Sequence, residues 1–368
     1  MTARVHGMTQ NEVPPDWPPL TEAELAPVIA AYPALGGLRE IAWHSRRPFA
    51  ASGIVTCAHE SVFIKRHDAR VRDAADLRQE HDFIAHLRAH GAKVPGVLRN
   101  QSGDTVTGSA LGCVEIHEMG QGQDAYRDAH SWTPIRNTAD AHEAGAALAR
   151  LHVAASGFTA PARATRLVVA GDAIAASADP TIALEAWVAG DARLRTALHP
   201  RPFREDFHRV LHPFYEALRP FRAEFPPCWV HGDFHASNLL WQEGAVSCVL
   251  DFGLSNRASA LYDLATAIER NAIAWLALSP KHTAIGHADL AGALIAGYDL
   301  ILPVSARQIA ALRALLPVVH VEFALSELAY FHAITRSPRD ADLAYDTFLL
   351  GHATWFASGD GGRFVTGL

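Results

Sequence analysis

Val230-His231-Gly232-Asp233-Phe234-His235-Ala236-Ser237-Asn238-Leu239-Leu240, followed by Val249-Leu250-Asp251-Phe252-Gly253, decides the fold of this chain. Residues 228–230 and 246–250 are short apolar runs that read as strands. Each ends on polar side chains: Asp233 after the first, Asn238 five residues later, Asp251 after the second. Asn238 and Asp251 offer an amide oxygen and a carboxylate, the hard donors that suit Mg²⁺. Asp233 is a separate carboxylate, able to orient a hydroxyl and accept its proton. Together these are the working parts of phosphoryl transfer from ATP. Gly232 and Gly253 permit tight turns that aim the acids inward. Either Asp alone reads equally well as a turn former or a helix cap, but the joint spacing is far rarer than its parts.

Upstream, lysine occurs only as Lys65, Lys93 and Lys281, so Lys65 at the end of the apolar run 61–65 stands out. An ammonium at a half-buried strand end needs a counter-charge. Residues 74–90 read as a helix with Leu77, Phe83, Ile84 and Leu87 on one face, and Glu80 falls about two turns in. A strand lysine paired with a helix glutamate holds nucleotide phosphates in kinase-like folds; the plainer reading is a solvated strand end and a surface charge. Residues 39–67 carry a β pattern. The turn Arg47-Pro48-Phe49-Ala50-Ala51-Ser52-Gly53 is placed to cover phosphates with backbone N–H groups, Ser52 and Gly53 among them. The strand 112–117 leaves through Glu118-Met119-Gly120, a glycine-bearing hinge suited to meeting an adenine edge.

After residue 125 the pattern turns helical, over 138–155, in broken pieces over 163–202, and over 203–225 with breaks at Pro213 and Pro220. The 368 residues are 49% hydrophobic and 19% charged, which describes a globular chain of two or three domain-sized units. A net charge of −7 without a basic block argues against nucleic acid as a partner. Residues 1–20 read as a loose leader with no signal-peptide pattern, and no membrane span is expected. Cys57, Cys113, Cys228 and Cys248 show no paired spacing and read as reduced core thiols, so the cytoplasm is the expected compartment.

The motif His231-Gly232-Asp233 with Asn238, and Asp251-Phe252-Gly253, resembles the catalytic segments of the aminoglycoside phosphotransferase and choline kinase family. Lys65, Glu80, Leu148-Ala149-Arg150-Leu151-His152 and Tyr262-Asp263-Leu264-Ala265 match as well, so the resemblance spans about residues 35–335. It implies an α+β, two-lobed protein-kinase-like fold. A leader and short helix (1–34) would precede a small antiparallel-sheet nucleotide lobe (35–118) and a larger, mainly helical lobe (119–368). Asp233 would be the catalytic base and Asn238 and Asp251 the Mg²⁺ ligands. Lys65, tethered by Glu80, would contact the ATP phosphates. His231 would support the catalytic loop, and Asp263 would hydrogen-bond the loop's backbone. Protein kinases carry Arg where this chain has Gly232, and the stretch from Gly253 to Tyr262 is too short for a regulatory segment. Both points favour a small hydroxyl compound as acceptor: an aminoglycoside, an amino alcohol, a sugar or an amino acid. A protein serine/threonine kinase and a non-catalytic nucleotide-binding module are the alternatives.

The acceptor residues are the least defined. Residues 312–331 read as a buried helix kinked at Pro317, with Glu322 and Glu327 on apolar stripes. Buried carboxylates need partners, either a cationic substrate or a core Arg or His. Asp263 and Glu269, in the first half of an expected helix 261–278, border the same cleft in this reading, and His235, two residues past Asp233, reads as a loop-packing histidine or as one facing the γ-phosphate. A last helical pattern covers 340–356, and the glycine-rich tail 358–368 reads as frayed. Oligomeric state is not legible.

Overall fold

The computed structural model describes residues 4–9, 11–47, 49–279 and 282–368. Pro48 of the expected phosphate-covering turn, Lys281, and residues 1–3 and 10 of the expected leader lie outside them. The chain forms two compact units. The first comprises residues 1–122 with 247–250, the second residues 123–246 with 251–368.

The first unit is a five-stranded antiparallel sheet with two helices. Helix α1 (Glu22–Ala30) precedes strands β1 (Leu38–His44), β2 (Ala51–Cys57) and β3 (Ser61–His67). Helix α2 (Ala74–Ala89), β4 (Thr107–Ser109) and β5 (Gly112–Glu118) follow, and the sheet order is β1-β2-β3-β5-β4. Thr21 caps α1 by accepting from the Glu24 amide, and a capping box joins Asp73 and Asp76 at the start of α2. The leader is not loose where the sequence led us to expect it. Val5 pairs with Val13, and Leu20 packs with Leu25, Val28 and Ile29 of α1 in one cluster with Val55, Val62, Ile64, Val114 and Ile116 of the sheet. Burying that apolar face is what orders the segment. In β2, a Cβ on Gly53 would stand 2.3 Å from the Trp43 carbonyl oxygen, so the close approach of β1 requires glycine there.

The sheet face that carries Lys65 also carries a buried polar network. Glu115 of β5 lies opposite Lys65 in the ladder. Its oxygens meet His81 Nε2 at 2.6 Å, His67 Nε2 at 2.9 Å and His117 Nε2 at 3.1 Å. Burial works to raise the Glu115 carboxyl, and the three histidines overcome it and hold the group well below its usual range.

The second unit is mainly helical. Helix α3 (Thr138–Ala155), strands β6 (Pro227–Val230), β7 (Leu239–Gln242), β8 (Ala245–Val249, whose last residues belong to the first unit) and β9 (Asn256–Ser259), and helices α4 (Ala260–Ala272), α5 (Ala288–Asp299), α6 (Ala306–Leu315) and α7 (Val321–Tyr330) form its frame. β9 pairs antiparallel with β6. α3 and α5 cross closely, because a Cβ on Gly145 would stand 1.9 Å from the Leu294 oxygen and one on Gly297 1.8 Å from the His142 oxygen. The run 306–335 is apolar and long enough to cross a membrane by composition. Here it kinks at Pro317, as expected, and every residue of α7 is buried. The tail is helical rather than frayed, as α8 (Gly359–Thr366). Ser358 caps it, and Phe364 is buried 5.9 Å from the Trp355 ring.

Candidate active site

β6 runs directly into the loop 231–238, and α4 holds that loop at three points. Asp263, fully buried on the first turn of α4, accepts from the His231 amide at 2.9 Å and the Gly232 amide at 2.8 Å, and meets His152 Nε2 at 3.0 Å. Burial would raise its carboxyl; the bond and charge of His152, with His231 and the Gly232 amide, outweigh this and keep it below its usual range. Two turns along, Asn271 accepts from the Ala236 amide at 2.8 Å and donates to the Phe234 oxygen at 3.0 Å. Between them Arg270 forms an ion pair with Asp233. Gly232 adopts φ 77°, and a Cβ there would lie 2.4 Å from the Ala170 Cβ and 2.8 Å from the Leu254 oxygen. The loop turns as tightly as it does because that position has no side chain.

Asp233 follows on this fixed backbone. Its amide donates to His231 Nδ1 at 3.1 Å. The Asn238 amide nitrogen donates to the Asp233 backbone oxygen at 2.9 Å and to Oδ2 at 3.3 Å. With the nitrogen end so engaged, a cation would meet the oxygen end of Asn238. His235 Nε2 stands 3.5 Å from Asp233 Oδ1, and its Nδ1 bonds Ser237 Oγ at 2.8 Å. Asp251 has φ 62°, a strained setting for a residue with a Cβ, eased by its Oδ1 accepting from the Gly253 amide at 3.3 Å. Arg163 ties this turn down by donating to the Gly253 oxygen at 3.0 Å. Leu254 and Ser255 alone separate Gly253 from β9, and α4 begins right after β9, so no activation segment intervenes.

Arg270, the ion-pair partner of Asp233, also lines a cavity of about 20 Å³ with Glu269, Glu327, Phe323, His320 and His352 in its wall. Burial raises Glu327 to about 8 and Glu269 to about 7, and lowers His320 to about 4 and His352 to about 3. The His352 ring stacks on Trp275 at 3.7 Å. Of the two carboxylates expected on α7, Glu327 faces this cavity. Glu322 bonds the Ile174 amide at 2.5 Å instead and holds the chain near residue 174.

In the first unit, Lys65 lies buried on β3 and Glu80 buried on α2. Ser52 and Gly53 are residues of β2 rather than of a turn, because the ladder to β3 already includes them, Ser52 opposite Lys65. Glu118 ends β5, where Arg88 meets it at 3.0 Å; the exposed Met119 and then Gly120 follow, two residues before the end of this stretch of the unit.

Sequence reasoning missed Arg270 and Asn271. Leu261 to Ala272 are all buried, so polar side chains beside Asp263 on that helix were the available signal.

A family model described as the phosphotransferase enzyme family matches residues 54–315. A homoserine kinase of Methylobacterium radiotolerans is 27% identical over 320 residues, covering 84% of this chain and 86% of that protein. Among solved structures, an amicoumacin kinase in complex with AMP-PNP, Ca²⁺ and Ami superposes with TM-score 0.55 at 14% identity, covering 89% of this chain and 93% of that one. A microcompartment-associated aminopropanol kinase superposes with TM-score 0.52 at 20% identity, covering 89% and 94%. These two likenesses show the protein-kinase-like α+β fold. With the match of the family model over most of its length, the chain belongs to the phosphotransferase enzyme family and is a small-molecule kinase with a hydroxyl as acceptor.

Proposed function

We propose that this enzyme moves the γ-phosphoryl group of ATP, with Mg²⁺, to the hydroxyl of a small amino alcohol or hydroxy amino acid. One observation carries the reading: the Asn238 amide nitrogen, bonded to both the backbone and the carboxylate of Asp233, orients the base and leaves an oxygen for a cation. Asp233 accepts the proton of the acceptor hydroxyl. The acceptor oxygen bonds to the γ-phosphorus as the bond from that phosphorus to the bridging oxygen breaks, and ADP leaves. Asn238 and Asp251 form the hard-oxygen donor set that fits Mg²⁺, which offsets phosphate charge when bound. Lys65, with Glu80 as its counter-charge, serves the nucleotide phosphates, Ser52 and Gly53 lie on the phosphate side, and residues 118–120 meet the adenine. Four free thiols suit a reducing cytoplasm.

Coupled ADP release over hydroxyl acceptors tests this, beginning with L-homoserine, the substrate named for the relative. Asp233→Ala should lower turnover by about 10²–10⁴-fold, the range for a positioned base, with ATP binding retained. Undiminished turnover in that variant removes Asp233 from its role. Chelation with EDTA should abolish turnover and added Mg²⁺ restore it. Activity that survives chelation contradicts the roles of Asn238 and Asp251.

A further inference from the structure

Arg270 is the anomaly in this site. A base that must take a proton from a hydroxyl has one oxygen, Oδ1, engaged by a guanidinium. The guanidinium takes up acceptor capacity of that oxygen that a hydroxyl hydrogen would otherwise use. Arg270 is buried, with its guanidinium carbon 4.9 Å over the Phe323 ring, and Glu327 is the other carboxylate that supports its charge. Solvent therefore does not draw it away. What displaces a carboxylate from a guanidinium is a better-placed carboxylate, because the fork of N–H donors matches two carboxylate oxygens at once.

Glu327 presents the complementary need. It is 1% exposed and lines the same cavity, and among the described residues its Oε1 has no hydrogen-bond donor. A buried carboxylate with an open oxygen is costly unless a donor or a cation reaches it. Burial keeps its proton up to a pH of about 8, with Arg270 opposing and Glu269 reinforcing. An arriving ammonium takes the place of that proton. The cavity itself, about 20 Å³, has room for a water molecule or so while Arg270 stays on Asp233.

We infer that the acceptor is a hydroxy α-amino acid. Its carboxylate draws Arg270 off Asp233, its ammonium docks on Glu327, and its side-chain hydroxyl meets the released base. The inference rests on Asp233 being the acceptor's base, as proposed above, and adds that Arg270 keeps that base closed until a carboxylate arrives. A simple amine leaves Arg270 in place, and a hydroxy acid draws Arg270 off but leaves the Glu327 side unfilled.

The test compares L-serine and L-homoserine with the amines that lack only their carboxylate, ethanolamine and 3-aminopropan-1-ol. Binding to the full-length protein is read by calorimetry, and turnover by ADP release with MgATP. The better of the two amino acids should exceed its amine by about 100-fold in kcat/KM and in affinity, in line with a charge-assisted bidentate bond. Arg270→Leu should reduce that ratio to within a few-fold of one, chiefly by lowering turnover of the amino acid. Glu327→Gln should weaken amino-acid binding while binding of 4-hydroxybutyrate stays unchanged. Equal use of amine and amino acid by the unaltered enzyme overturns the inference, and so does an Arg270→Leu variant that folds and keeps the preference. Turnover of an amine alone overturns it while leaving the role of Asp233 intact. Undiminished turnover of either acceptor by Asp233→Ala defeats the underlying reading instead. Should no compound be phosphorylated, the calorimetric ratio decides the inference by itself.

Discussion

At the scale of single residues, backbone conformation limits the site as much as side-chain chemistry does. Gly232 and Asp251 both take left-handed φ, at 77° and 62°. Asp251 tolerates it because its own carboxylate accepts a bond from the Gly253 amide. Gly232 has no such means, and two neighbours already occupy the place of a Cβ. Gly232→Ala should therefore cost about 1–2 kcal/mol of backbone strain and a further ~1–3 kcal/mol of overpacking against Ala170. The loop escapes that strain by rotating the Gly232 amide off Asp263. Turnover should then fall by more than stability alone explains, as measured by kcat beside a urea denaturation curve. An Ala variant with unaltered kcat and midpoint contradicts the tight approach of Ala170.

At the scale of elements, α4 is the ruler against which the catalytic loop is set. Asp263 binds the loop's entry, Asn271 its middle, and Arg270 its carboxylate. Asn271→Leu leaves the Ala236 N–H and the Phe234 C=O buried without partners, at about 1–3 kcal/mol each. The loop lies within one unit, and the residues proposed for ATP lie mostly in the other. The expected outcome is thus a kcat loss of at least about tenfold with the KM for ATP unchanged; a rise in that KM with kcat kept contradicts the role of Asn271. How α4 does this also explains what was readable beforehand. Asp233, Asn238 and Asp251 lie close in sequence, and the chemistry of their spacing is local, so the motif was legible. Asp263 could be placed because the family resemblance covers it. Arg270 and Asn271 were missed because their roles depend on which face α4 turns to a loop more than 30 residues away. Glu322 and Glu327 looked alike on one apolar helix. They differ only because the Ile174 amide, 148 residues distant, occupies the first. The tail was misjudged because glycine raises helix cost locally, and nothing local reveals that Phe364 has a buried place beside Trp355.

At the scale of the whole molecule, buried titratable groups set how stability varies with pH. Burial raises Glu327 to about 8, Glu269 and Glu322 to about 7, and Asp172 to about 6, and lowers His320 to about 4 and His352 to about 3. From pH 6.5 upward the unfolded chain has already released carboxyl protons that the folded chain retains, so unfolding releases protons and stability falls as pH rises. Between 4.5 and 6.5 the unfolded chain gains protons on two histidines but lacks them on up to four carboxyls, so stability still falls with rising pH, with a smaller slope. Below 4.5 the unfolded carboxyls are protonated as well and only the histidine uptake remains, so stability now falls as pH falls. Glu115 and Asp263 act in the same direction there: burial would raise both, their histidine partners hold both low, and the stability they contribute is lost as pH drops below their unfolded values. The urea midpoint should accordingly peak at about pH 4.5 and decline toward about pH 8, each unmatched proton contributing up to about 1.4 kcal/mol per pH unit. Glu327→Gln removes one such proton and should flatten the alkaline decline. His352→Asn should flatten the acid side, steepen the decline between about pH 4.5 and 6.5, and leave the decline above that as it was. A wild-type midpoint that climbs steadily from about pH 5 to about pH 8 would mean that these glutamates are ionised in the folded protein, each with a cation beside it that the free enzyme already supplies.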